Sequence, residues 1–207
     1  MTAKRPAFPV ARWIALGWLL VWAPPYAMWW GWRNFFQLCD VAVILTAAGL
    51  WFGSARLLSA QAVGVIVVDI LWFLDVAARL TIDRHPIGGT EYMFDSRFPL
   101  WVRLISLFHV AWPLLLLWAL RRTGYDSRGW RLQSGIAGLM FGISWLIAGG
   151  RNVNFVLEAP IVGKALGPAP VHLAVSWAVL TLAVYWPTHA VLVRTLPAIP
   201  PPSPERA

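Results

Sequence analysis

Few side chains in this 207-residue chain could do covalent chemistry: it has one cysteine, Cys39, and four histidines. A thiol beside an imidazole is a nucleophile with its base, the pairing that drives acyl transfer. Asp40 follows Cys39, and a neighbouring carboxylate works against a thiolate; an imidazole at the sulfur would reverse that by taking the proton. His109 is the informative histidine. Pro113 follows it by four and cannot donate the helix hydrogen bond that the His109 carbonyl would accept. The helix is thereby weakened at the imidazole, either to admit a ligand or for packing alone. His85 and His189 sit at or beyond helix ends and receive no role, and His172 is an interfacial residue or a pocket wall. The scattered histidines show no H-x-x-x-H spacing, so no metal site is expected. Gly88-Gly89 reads as a turn and not as a nucleotide cradle, so no cofactor is expected either.

The elements that must position these groups are apolar. Residues 13–30, 35–52, 57–78, 98–120, 132–149 and 171–193 are each about long enough to cross a ~30 Å hydrocarbon layer as a helix. Apolar residues make up 59% of the chain and charged residues 13%, about half the charge of a soluble domain. Many of the 15 tryptophans cluster where spans meet headgroups, as at Trp29, Trp30 and Trp32, Trp51, Trp101, Trp118, Trp130 and Trp186. The expected fold is all-α: a polytopic bundle of six transmembrane helices over residues 1–195, then a Pro-rich disordered tail over 196–207. The first span is read as a retained, kinked helix, because Pro24-Pro25-Tyr26 is a poor cleavage region for a signal peptide. One cysteine allows no internal disulfide.

The net charge of +8 lies mainly in alternate loops: Lys4, Arg5 and Arg12; Arg56; Arg121, Arg122, Arg128 and Arg131; Arg194 and Arg206. The positive-inside bias makes that side cytoplasmic and puts both termini there, in a bacterial-type inner membrane. Basic loops so placed meet anionic membrane lipids, and no nucleic-acid partner is expected.

This topology gathers polar residues at the outer face. Cys39 and Asp40 lie near the outer end of the second span, and Asp75 and Arg79 end the third. Arg103 and His109 lie in the outer half of the fourth, Arg151, Asn152 and Asn154 follow the fifth, and His172 opens the sixth. Asp75 and Arg79 are spaced i,i+4, so a surface ion pair is the default. Asp69 falls near mid-span, where a free carboxylate is expensive. It is protonated, hydrogen-bonded to a hydroxyl such as Ser144 or Ser176, or part of a proton path. The inner half offers Thr46, Thr181 and His189.

The order Gln37-Leu38-Cys39-Asp40, then Phe108-His109, then Asn154-Phe155-Val156-Leu157-Glu158-Ala159-Pro160 resembles the YwaF-like family of small multi-pass membrane proteins. Its eukaryotic relatives include a transmembrane phospholipid acyltransferase, and the resemblance spans residues 35–192. It implies a nucleophile at Cys39, a general base at His109 and a polar contributor at Asn154. The pattern departs at Gln37, Phe108 and Phe155, where the family has a histidine, a serine and a tyrosine.

Three functions follow. In the first, Cys39 attacks a lipid ester, with Gln37, Arg103 or Asn154 donating to the oxyanion and Asp40, Asp75, Arg79, Arg151 and Asn152 as supporting polar groups. The second is a non-catalytic lipid- or small-molecule-binding protein or partner subunit. The third is proton-coupled transport through Asp40, Asp69 and Asp75, although no paired, Gly/Pro-broken segments stand in matching halves.

Overall fold

A computed structural model describes residues 7–199. They form a helical bundle: α1 (Ala11–Trp30), α2 (Leu38–Phe52), α3 (Ala55–Ile82), α4 (Leu100–Ile105), α5 (Phe108–Thr123), α6 (Gly129–Ile147), α7 (Ala169–Val179) and α8 (Trp186–Thr195). A 3-10 turn, Trp32–Phe36, leads into α2, and a π-helical turn, Leu180–Tyr185, joins α7 to α8. Of the six helical rods, three are long and apolar enough to cross a membrane: Ala55–Ile82, Leu100–Thr123 and Ala169–Thr195. The expectation of six spans is corrected to that extent. α2 is apolar but has only 15 residues, because the chain before Leu38 winds as a 3-10 turn. The expected 57–78 span is longer than read, with Ser54 capping α3 by accepting from the Leu57 N–H. Residues 200–207, most of the expected tail, lie outside the described residues. The part of it that is described is tied down: the Pro197 carbonyl accepts from the Tyr125 N–H at 2.7 Å.

The helix breaks have local causes. Pro24 and Pro25 sit inside α1 without ending it. The carbonyls they leave unbonded belong to Leu20 and Val21 on the exposed side. The fourth rod is interrupted at Ser106–Leu107, seven residues before Pro113 and just ahead of His109. Pro187 cannot bond the Ala183 carbonyl, and the π-helical turn stands immediately before it, where the backbone must find another register.

α3 is the central rod and packs against α2, α5, α6 and the π-helical turn. Glycine allows the close crossing with α6. A Cβ on Gly129 would come within 2.9 Å of the Ala60 N, and one on Gly64 within 2.5 Å of the Gln133 Nε2. The apolar core runs from Trp22 and Val43 through Leu58, Val63 and Leu116 to Leu120, all buried.

Candidate functional site

The residues expected at the outer face are distributed among several clasps. Asn154 holds the loop after α6 to the start of α2. Its Oδ1 accepts from the Leu38 N–H at 2.8 Å, its Nδ2 donates to the Phe36 carbonyl at 2.7 Å and to the Ser144 Oγ at 2.9 Å, and its N–H donates to the Gln37 Oε1 at 2.9 Å. This takes a left-handed backbone at Asn154 and Phe155, with φ of 54° and 57°, which asparagine tolerates better than most residues. Asn152 folds the next turn, accepting from the Leu157 and Glu158 N–H groups and donating to the Glu158 carbonyl. His172 is 1% exposed; it accepts from the Leu166 N–H at Nδ1, so Nε2 carries the hydrogen donated to the Phe155 carbonyl at 2.9 Å. Arg151 donates to the Trp30 carbonyl and Arg103 to the Met93 carbonyl.

A second clasp closes the loop after α3. Asp75 accepts from the Ile87 N–H at 2.7 Å, the Gly88 N–H at 3.1 Å and the Thr90 hydroxyl, and the His85 Nδ1 lies 3.0 Å from its Oδ2. The expected Asp75–Arg79 pair does not form: Arg79 pairs with Asp83, and the loop's backbone donors occupy Asp75. His85, which the sequence left without a role, belongs to this clasp. Beyond it, burial pushes the Tyr92 phenol up, and the Arg97 guanidinium holds Asp95 below the usual carboxylate range.

No hydrogen bond joins Cys39 to His109. The His109 Nδ1 lies 2.7 Å from the Ser106 carbonyl, and its ring stacks on Trp72 and Phe108 at 4.6 and 4.1 Å between centroids. At the break the Ser106 carbonyl accepts from the His109 backbone N–H at 3.1 Å, and the imidazole of the same residue shares that oxygen. The Gln37 side chain turns to the Asn154 backbone while the Asn154 side chain holds the backbone on either side of Gln37, and Asp40 accepts from the Tyr26 hydroxyl at 2.5 Å, which in turn accepts from the Asn34 Nδ2.

A different set of groups lacks protein partners. Asp69 is 2% exposed, and neither of its carboxylate oxygens meets a hydrogen-bond partner. The expected Ser144 hydroxyl is engaged by Asn154 instead. The Oδ1 of Asp40, both polar atoms of the Gln61 amide and the hydroxyls of Thr46 and Thr181 are likewise buried and unpartnered, and the buried Tyr185 hydroxyl lies toward Gln133. They fall into levels. Gly49 packs on Leu58 across the α2–α3 turn, so counting away from it at ~1.5 Å per residue brings Thr46 level with Gln61 and Leu38–Cys39 level with Asp69. Gln133 lies against Gly64, and the Trp177 Nε1 donates to the Ser134 carbonyl, which brings the π-helical turn to the level of Gln133. On α3, Asp75, Gln61 and Asp69 lie within an arc of about 120°.

The column ends opposite the loop clasps at Tyr125 and His189, whose hydroxyl and Nδ1 are 2.8 Å apart. There Asp126 donates its N–H to the Ser59 Oγ and accepts from the Arg128 N–H, Nε and Nη2. The Arg128 guanidinium holds the Asp126 carboxyl below the usual range. Thr46, Thr181 and His189 were singled out in the sequence. Gln61, Gln133 and Tyr185 were not, although an amide inside an apolar span is itself a visible signal.

No family model matches the chain, and neither a curated protein nor a solved structure matches it.

Proposed function

We propose that the chain is an integral membrane protein that passes protons along the buried polar column, with Asp69 as the group that takes them up and releases them. One observation carries this reading: both oxygens of Asp69 are unpartnered and buried, midway along the longest apolar helix. An ionisable group at that depth without a partner is costly, so such groups mark ion and proton routes. Three further features support it. The fourth and sixth rods depart from regular α-winding, the fourth at Ser106–Leu107 toward one end and the sixth at Leu180–Tyr185 midway along it. The π-helical turn contributes Thr181 and Tyr185, and turns of this type are frequent at functional sites. Asp75 with His85, and Tyr125 with His189, supply titratable groups at the two ends of the column.

In this reading all six rods cross an inner membrane and the basic loops face the cytoplasm. α2 covers about 22 Å, and the 3-10 turn adds roughly 10 Å, together close to the hydrocarbon thickness. Acyl transfer through Cys39 and His109, which the family resemblance implies, needs a thiol–imidazole contact; here the ring is held by Ser106, Trp72 and Phe108.

The test is proton flux into proteoliposomes that hold a pH-sensitive dye, driven by a potassium diffusion potential. Asp69→Asn should abolish the flux and Cys39→Ala should leave it intact. A wild-type flux equal to that of empty liposomes, or one that survives Asp69→Asn, refutes the proposal.

A further inference from the structure

Away from the polar column, α1 and α5 leave an open apolar groove of about 390 Å³ between them. One wall is Val10, Ile14 and Trp18, a stripe at i, i+4, i+8; the other is Trp112, Leu115 and Trp118. The helices run in opposite directions, so the first turn of α1 and the last turns of α5 form the same mouth. From Val10 to Trp18 the groove is ~12 Å deep, most of one ~15 Å hydrocarbon leaflet.

The mouth is cationic. Arg122 continues the α5 stripe one turn beyond Trp118, and its guanidinium carbon lies 4.4 Å from the Trp118 ring centroid. Arg121, the preceding residue, projects from the same turn about 100° around the helix; both are exposed, and neither forms an ion pair among the described residues. The described acid at this end, Asp126, is held by Arg128. A slot of acyl-chain shape with uncompensated arginines at headgroup level has the charge and form of one molecule, a lipid with an anionic head.

We infer that the α1–α5 groove binds an anionic phospholipid, with an acyl chain between Trp18 and Trp112 and the phosphate at Arg121 and Arg122. The site is independent of the proton column, since none of its residues belongs to that column.

Native mass spectrometry of the detergent-purified protein, offered equal phosphatidylglycerol and phosphatidylcholine, tests this. The wild type should retain one phosphatidylglycerol in preference to phosphatidylcholine by between about fivefold and thirtyfold, the factors that ~1 kcal/mol from one or from both arginines corresponds to. The double substitution Arg121→Gln with Arg122→Gln should remove the preference. Ala11→Phe, which fills the groove lining, should lower retention of both lipids. Equal retention of the two lipids by the wild type, or a preference that survives loss of both arginines, overturns the inference. So does undiminished retention in Ala11→Phe, which would place the lipid elsewhere on the surface.

Discussion

Replacing Asn154 separates two physical contributions that one residue makes. Its side chain satisfies three groups: the Leu38 N–H, the Phe36 carbonyl and the Ser144 hydroxyl. At ~1 kcal/mol net for each hydrogen bond, their loss costs about 3 kcal/mol. Its backbone sits at φ 54°, where a Cβ without a local polar partner adds ~1–2 kcal/mol. Asn154→Ala loses both and should destabilise by about 4–5 kcal/mol. Asn154→Gly loses the hydrogen bonds but escapes the steric cost, so it should be milder by about 1 kcal/mol. Reversible unfolding in mixed micelles, followed by circular dichroism, reads both values. An Asn154→Ala protein within ~0.5 kcal/mol of wild type would refute the account of the clasp. A glycine variant less stable than the alanine one would remove the backbone part.

Asp75→Ala should release the loop that its carboxylate gathers. Limited trypsin digestion should then cut after the exposed Arg84 several times faster than in wild type, and an unchanged digestion rate would count against the clasp. Gly129→Ala should destabilise by about 1–3 kcal/mol, because the added methyl meets the α3 backbone at Ala60 and not a movable side chain. A melting temperature equal to wild type would show that the crossing can relax. Asp126 adds a pH dependence. Its carboxyl is held low by Arg128, so its stabilisation is complete above the unfolded value near ~4 and fades as pH falls through the lower folded value. With Arg128 65% exposed, solvent screening keeps the contribution small. Asp126→Asn should remove that share at neutral pH and flatten the acid limb of the stability profile, whereas a parallel profile would assign the acid limb to other groups.

The helices were legible because lipid-like runs announce themselves by length and composition. The bundle follows from residues such as Val63 and Leu116 that have nowhere polar to go. Less legible were the exact starts: nothing in Trp32–Phe36 distinguishes a 3-10 turn from the first turn of an α-helix. The polar residues were visible as a set, but their partners were not. Asp75 and Arg79 at i,i+4 favoured each other locally, yet the loop brought four competing donors from residues 85–90. Spacing along one helix could not show that preference. Asn154 was read as an oxyanion donor, and its position against the start of α2 depends on contacts 116–118 residues apart. Asp69 was legible as an anomaly in its span, and the structure keeps it one.

The switch from 3-10 to α winding before Leu38 interrupts the ladder of main-chain bonds at Phe36–Leu38. In water such a gap is cheap, since solvent fills it. For a chain seated in oil it is a leak of polarity that only protein can seal. The carboxamide that reaches across from the far end of the sequence acts as that seal, one amide shaped to stand in for the missing rung. The start of α2 therefore depends on a loop made more than a hundred residues later. The first turn of this helix cannot be closed off until the fifth rod and the segment after it have folded back.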